Sequence, residues 1–211
     1  MDHPSDDHSH DPWAVRPRTG IGGLHLGMTR AEVAAQAGPL GPITYENDLG
    51  AGPGDLAALL QSFGDLISEE DIAATRGAMA EAAQLQQGMV LEHRRCGLVL
   101  TFQDGRLAEI MVPRDGPPIH MDGVALFAAP RIEAVAALSR ALGDPPYCDG
   151  EHVAFQNAPL WLHGFMLGAP GFAPHPDRES AKEVSIALRA PGMRGVAEVE
   201  WERFRPLPLP A

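Results

Sequence analysis

Residues 20–39 read GIGGLHLGMTRAEVAAQAGP: a short apolar strand, a glycine turn and a helix in twenty positions. Thr29 and Glu32 stand at capping-box spacing, so the Thr29 hydroxyl can accept from the third helical amide while the Glu32 carboxylate reaches back to the cap. Val33 and Ala37 fall four apart on one face, and Gly38-Pro39 is the pair that ends a helix. So short a helix does not stand alone in water, which obliges Val33 to bury itself on a neighbour. Gly20, Gly22, Gly23 and Gly27 read as backbone turns. A phosphate loop needs a preceding strand or a Gly-Lys-Ser/Thr ending, and residues 1–19 are not strand-like while Met28 and Thr29 follow Gly27.

A weaker copy lies a hundred residues on. Gly123-Val124-Ala125-Leu126-Phe127 precedes a helix opened by Pro130-Arg131 that carries Ile132, Val135, Leu138 and Leu142 and closes at Gly143-Asp144-Pro145-Pro146. Arg30, Glu32, Val33, Gly38 and Pro39 answer to Arg131, Glu133, Val135, Gly143 and Pro145. Between the copies, Ile43 to Tyr45 is a short strand, Glu46 to Gly54 a glycine-rich acidic loop, and Asp55 and Ser68 cap helices closed by Gly64 and Gly88. From Met89 the period alternates, and Asp104-Gly105 joins two strands as a hairpin turn. Arg114-Asp115-Gly116-Pro117-Pro118 is a linker. After the second helix, residues 153–155, 160–166, 184–188 and 196–204 read as further antiparallel strands.

These readings predict an α+β fold of two related units, each a short helical segment packed on an antiparallel sheet. The first spans 19–113 with a helical insert at 55–88, and the second spans 119–204. A disordered acidic His/Asp-rich tail, residues 1–18, precedes them, and an unpaired proline-rich tail, 205–211, follows.

Of the 211 residues 45% are hydrophobic and 21% charged, an ordinary globular balance with length for one or two cores. No apolar run approaches the roughly 20 residues of a spanning helix, and the acidic start lacks a secretory pattern, which predicts a cytoplasmic protein. The formal net charge of −12 argues against nucleic acid or an anionic membrane and favours a basic protein partner, although acidity also serves solubility alone. Cys96 and Cys148 are too few for a disulfide framework or a four-cysteine zinc site, and Cys96 behind Arg94 and Arg95 is either an activated thiol or a small packed side chain.

No nucleophile with its base, no paired-carboxylate cleft and no Gly-x-Ser-x-Gly elbow is present, so no enzyme activity and no cofactor are predicted. His152 and His163, aimed by alternation to one side of a sheet, are the alternative: a metal or acid-base site, or packed strand histidines. His3, Asp6, Asp7, His8, His10 and Asp11 are metal-ligand types without a fixed spacing. For partner binding the candidates are Glu46, Asp48, Asp65, Glu69, Glu70 and Asp71, acids that steer a basic surface, together with Trp161 as an outward anchor or a core residue; Trp201 invites the same two readings. Glu69, Glu70 and Asp71 also suit the positive end of a helix.

The GMTRAEV segment at 27–33, followed by Gly38-Pro39 and then β-hairpins, resembles the bacterial SmpA and β-lactamase-inhibitor-protein-like group. That resemblance implies tandem units, each a helical portion before an antiparallel sheet, and a protein that grips another protein on its sheet surface. In fold and charge the chain, read as a cytoplasmic, acidic, two-unit binder, also looks similar to immunity proteins that neutralise toxins.

Overall fold

The computed structural model describes residues 11–51, 68–169, 183–194 and 200–209, with the side chain of Glu69 outside that description. The chain enters through three two-residue strands, β1 (Val15–Arg16), β2 (Gly20–Ile21) and β3 (Leu24–His25), paired antiparallel in that order. Gly22 turns β2 into β3 at φ +54, and a Cβ there would lie 2.3 Å from the Pro12 carbonyl oxygen, so both conformation and space require glycine. The capping box opens α1 (Arg30–Ala35): Thr29 N donates to Glu32 Oε2 at 2.8 Å and Glu32 N donates to Thr29 Oγ1 at 3.3 Å.

Gly38-Pro39 does not end the helical segment. Ala37–Leu40 form another turn, α2, and the chain leaves it at Gly41, φ +68. Pro39 falls in the first turn of α2, where its missing N–H has no helical partner to lose.

The remaining elements are β4 (Ile43–Asp48), α3 (Glu69–Leu85), β5 (Met89–Arg94), β6 (Val99–Gln103), β7 (Arg106–Pro113), β8 (His120–Met121), β9 (Val124–Ala125), α4 (Arg131–Leu142), β10 (Pro146–Cys148), β11 (Val153–Phe155), β12 (Leu160–His163), β13 (Ser185–Arg189) and β14 (Arg205–Pro206). Among the described residues this is a mixed α+β protein with four helices and antiparallel sheets. The largest sheet has nine strands in the order β14-β10-β11-β12-β13-β7-β6-β5-β4. Eight of its strands form two meanders, β4 to β7 and β10 to β13, whose last strands meet in the middle with Ile110 opposite Leu188 and Val112 opposite Ile186, and β14 adds to β10 at the edge. Asp104 and Gly105, both at positive φ, make the tight turn between β6 and β7. Ser68 caps α3 by accepting from Asp71 N at 3.1 Å, and Gly143 ends α4 in the left-handed region.

Alternation along the strands sorts the sheet into two faces. Leu100, Ile110, Leu188 and Leu160 stand in register across four strands and belong to one apolar cluster with Val33 of α1 and Val135, Leu138 and Leu142 of α4. Burying each such side chain contributes about 1.5–3 kcal/mol, which fixes the helices on that face.

Several sequence expectations need correction. Residues 11–18 are not a disordered tail: residues 15–16 form β1, Val15 is buried, and Asp11 Oδ2 meets His120 Nε2 at 2.8 Å. Apolar Trp13 and Val15, packed with the core cluster, tie this stretch down. The C-terminal stretch is not unpaired either, because Arg205–Pro206 add to β10 and Leu207 is buried. Glu46 and Asp48 lie in β4 rather than in a loop, since the strand continues past Tyr45 along β5. Trp201 does not sit on a strand: Trp201–Arg203 form a 3-10 turn. The predicted helix at 55–64, residues 170–182 and the histidines of residues 1–10 lie outside the described residues.

Candidate functional site

Leu160 and Leu162 of β12 point into the core, so the pleat sends Trp161 and His163 to the opposite face. In register with Trp161 stand Ala154 on one side and Ala187 on the other, small residues that leave the indole room. Around it the fold gathers aromatic rings from four separate segments. Phe204 lies 5.5 Å from Trp161 between centroids, Trp201 lies 5.6 Å from Phe204, and Tyr147 of β10 meets Trp201 edge-on at 5.7 Å. His163 lies 5.5 Å and His152 6.1 Å from the Trp161 ring, and the two imidazoles are 5.8 Å apart. Trp201 is one of the few large apolar side chains left exposed, at 36%. The Trp161 Nε1 group is buried and finds no hydrogen-bond partner among the described residues.

The two histidines are chemically distinct. His152 Nδ1 accepts from Gly164 N at 2.8 Å, which leaves Nε2 as the protonated nitrogen of the neutral ring. His163 Nε2 lies 3.4 Å from Arg189 Nη2, and a guanidinium only donates, so this nitrogen is the acceptor. Burial, with Arg189 and His152 nearby, pushes the His163 pKa down to about 3, and the ring is neutral at physiological pH. Arg189 Nε donates to Glu109 Oε1 at 2.6 Å, while Glu109 Oε2 accepts from Thr101 Oγ1 at 3.3 Å. One cation therefore meets one anion here, beside an aromatic cluster of low polarity.

Sequence reasoning placed His152 and His163 on one side of a sheet, and the structure brings them together. Arg189 beside His163 opposes a metal cation electrostatically, and among the described residues no group of three or more His, Cys, Asp or Glu is placed to hold a metal ion. The predicted acids are scattered. Arg30 holds Glu46 in an ion pair and also bonds Glu92 Oε1 through Nε at 2.8 Å, while Arg94 pairs with the other Glu92 oxygen. Glu46 is thus partly consumed within the fold. Asp48 is exposed and accepts from Gly50 N at 3.0 Å. Glu70 and Asp71 are exposed in the first turn of α3, Asp71 bonding Ser68; Asp65 and the Glu69 side chain lie outside the described residues.

A Cβ on Gly50 would lie 2.8 Å from Gln87 Cα, so the end of α3, not its start, approaches β4. Sixteen residue steps of α3 separate its acidic first turn from that end by about 24 Å. Trp161 is five strands from β4, again about 24 Å. Glu46 and Asp48 of β4 are therefore remote both from the acidic first turn of α3 and from Trp161.

Sequence reasoning missed Phe204 beside Trp161, Tyr147 beside Trp201, and the Arg189–Glu109 pair beside His163. The alternation that aimed Trp161 and His163 also aims Glu109, Met111, Ala187 and Arg189, but strand order decides that they adjoin. Among the described residues, no helix is long and apolar enough to cross a membrane. No family model matches the chain, and no curated protein or solved structure is significantly similar to it.

Proposed function

We propose that this protein is a non-enzymatic binding module that grips a basic protein partner, in its sharpest form an intracellular inhibitor or immunity protein. The observation that carries the reading is the aromatic cluster of Tyr147, Trp161, Trp201 and Phe204 on the sheet face opposite the apolar helix cluster. Tryptophan and tyrosine bury large area at low entropic cost and dominate binding energy where they occur in interfaces. Within the cluster Trp161 is the packed support and Trp201 the ring that offers area to a partner. The net charge of −12 steers a basic partner toward the molecule, with Glu70 and Asp71 contributing at long range.

A two-unit architecture belongs to the same proposal. Its support is a correspondence at an offset of 100: Leu26 N donates to Thr19 O at 2.9 Å and Leu126 N to Ile119 O at 3.0 Å, β2-β3 answers to β8-β9, and a helix with Arg then Glu in its first turn follows each. Each unit then contributes one four-stranded meander, the longer first unit holding α3 between its first two strands.

The test begins with purification from the native host at low salt and identification of co-eluting protein. Affinity for that protein is then measured for the wild type, Trp201→Ala and the double variant Glu70→Lys, Asp71→Lys. The reading expects Trp201→Ala to weaken binding at least tenfold, mainly through faster dissociation, and the charge variant to slow association with a reduced salt dependence. Unchanged affinity of a folded Trp201→Ala variant removes the aromatic face from the proposal.

A further inference from the structure

We infer that the outer edge of β4 is a second docking surface, one that takes an extended, basic segment of a protein as an added strand. The inference rests on the preceding reading only in taking the partner to be basic.

β4 is the last strand of the nine-stranded sheet, and among the described residues no strand pairs with its outer side. All six of its residues are exposed, including Ile43 at 42% and Tyr45 at 54%, two of the four exposed large hydrophobic residues in the described chain. Natural sheets guard such edges with lysine, proline or a very short strand. The opposite edge is guarded: β14 has two residues, and Leu207 N bonds inward to Pro146 O, which turns the N–H-less side of Pro206 outward. β4, reading Ile-Thr-Tyr-Glu-Asn-Asp, has neither lysine nor proline; its register shift lies between Ile43 and Tyr45, before Glu46 and Asp48, and its two charges are acidic, which discourages an acidic strand but not a basic one.

The hydrogen-bond pattern shows which groups the edge offers. Arg94 N donates to Leu98 O and Asp104 N donates to Gly88 O, so the even-numbered residues of β5 turn their backbone groups toward β6. Adjacent residues of an antiparallel ladder turn to opposite edges, so Leu91 and His93 face β4 and bond their partners Asn47 and Tyr45. The N–H and C=O groups of Glu46 and Asp48 consequently point away from the sheet, two donors and two acceptors in strand geometry.

The side chains describe the occupant. Tyr45 stands on the sheet face of His93, edge-on at 5.4 Å between centroids, and presents an apolar ring to a cross-strand neighbour. Glu46 and Asp48 stand on the other face; Arg30 neutralises Glu46, while Asp48 forms no ion pair among the described residues. An added strand thus meets aromatic surface on one face and the Asp48 carboxylate on the other, which fits alternating apolar and basic residues. A second copy of this chain brings another −12 of charge and its own Glu46 and Asp48 to the same edge, so the occupant is a different, basic chain.

The probe is a synthetic peptide of alternating lysine and valine, seven residues long, capped at both ends and fluorescently labelled, with a glutamate-valine peptide as control. Binding to the full chain is followed by fluorescence anisotropy, and exchange of the Glu46 and Asp48 amides by NMR. The expected result is binding of the lysine peptide alone, at least tenfold slower exchange at those two amides, and an affinity about tenfold lower for Tyr45→Lys. The inference is overturned by absent binding, by unaltered exchange at Glu46 and Asp48 under saturating peptide, or by protection of these amides through self-association without peptide. Peptide binding that protects the Trp201 segment instead overturns the edge inference while leaving the aromatic-face reading intact.

Discussion

Lowering the pH from 7 to 5 is expected to cost the protein about 2 kcal/mol through His163 alone. In the unfolded chain this imidazole titrates near 6.5, whereas burial, reinforced by Arg189 and His152, holds it near 3 in the fold. Between those values the unfolded state binds a proton that the native state refuses, so stability rises with pH across the window from about 3 to 6.5 and falls as acid is added. Each pH unit inside the window is worth about 1.4 kcal/mol, and pH 5 lies one and a half units below the unfolded-state value. His163→Gln keeps an acceptor for Arg189 and removes the titration. Urea unfolding of both proteins, followed by tryptophan fluorescence at pH 7, 6 and 5, isolates the effect, because titrating groups remote from His163 cancel in the difference. The wild type should lose about 2 kcal/mol more than the variant between pH 7 and 5. Parallel losses in the two proteins would refute the assignment of a neutral, desolvated His163.

Two further outcomes follow from buried groups. Glu92→Leu removes a carboxylate 1% exposed that pairs with Arg30 and with Arg94, whose side chain is 5% exposed; the uncompensated Arg94 charge should cost about 3–5 kcal/mol in urea unfolding, and a loss below about 1 kcal/mol would contradict the buried pairing. Burial pushes the Cys148 thiol up to about 11, so at pH 8 only about one molecule in a thousand carries the thiolate; a thiol reagent should label half-buried Cys96 first and Cys148 only on unfolding, as read by mass spectrometry.

The elements readable in advance were those whose reasons lie within a few residues. Thr29 and Glu32 cap each other across one turn, Asp104-Gly105 closes a hairpin from within, and Gly143 takes the left-handed conformation that ends α4. The alternation of Leu160, Trp161, Leu162 and His163 likewise foretold two faces. Where local signals competed, reading failed. Gly38-Pro39 carries a stop signal, yet Leu40 is buried against the core and the segment turns once more before Gly41. The Pro-rich end suggests an unpaired tail, yet Pro206 fits an edge strand whose missing N–H faces out and Leu207 has a core to enter.

Caps, hairpin turns, inward faces and overall charge follow from the chain alone, because each depends on near neighbours or on composition. That β7 and β13 meet at the centre, that Tyr147, Trp201 and Phe204 gather beside Trp161, and that Arg30 takes up Glu46 while backbone groups of β4 face outward are properties of the assembled sheet. Those outcomes turn on strand order and register between segments far apart in the chain. Residue identity sets which side chains must be buried, but the pairing that buries most of them at once is a property of the whole sheet.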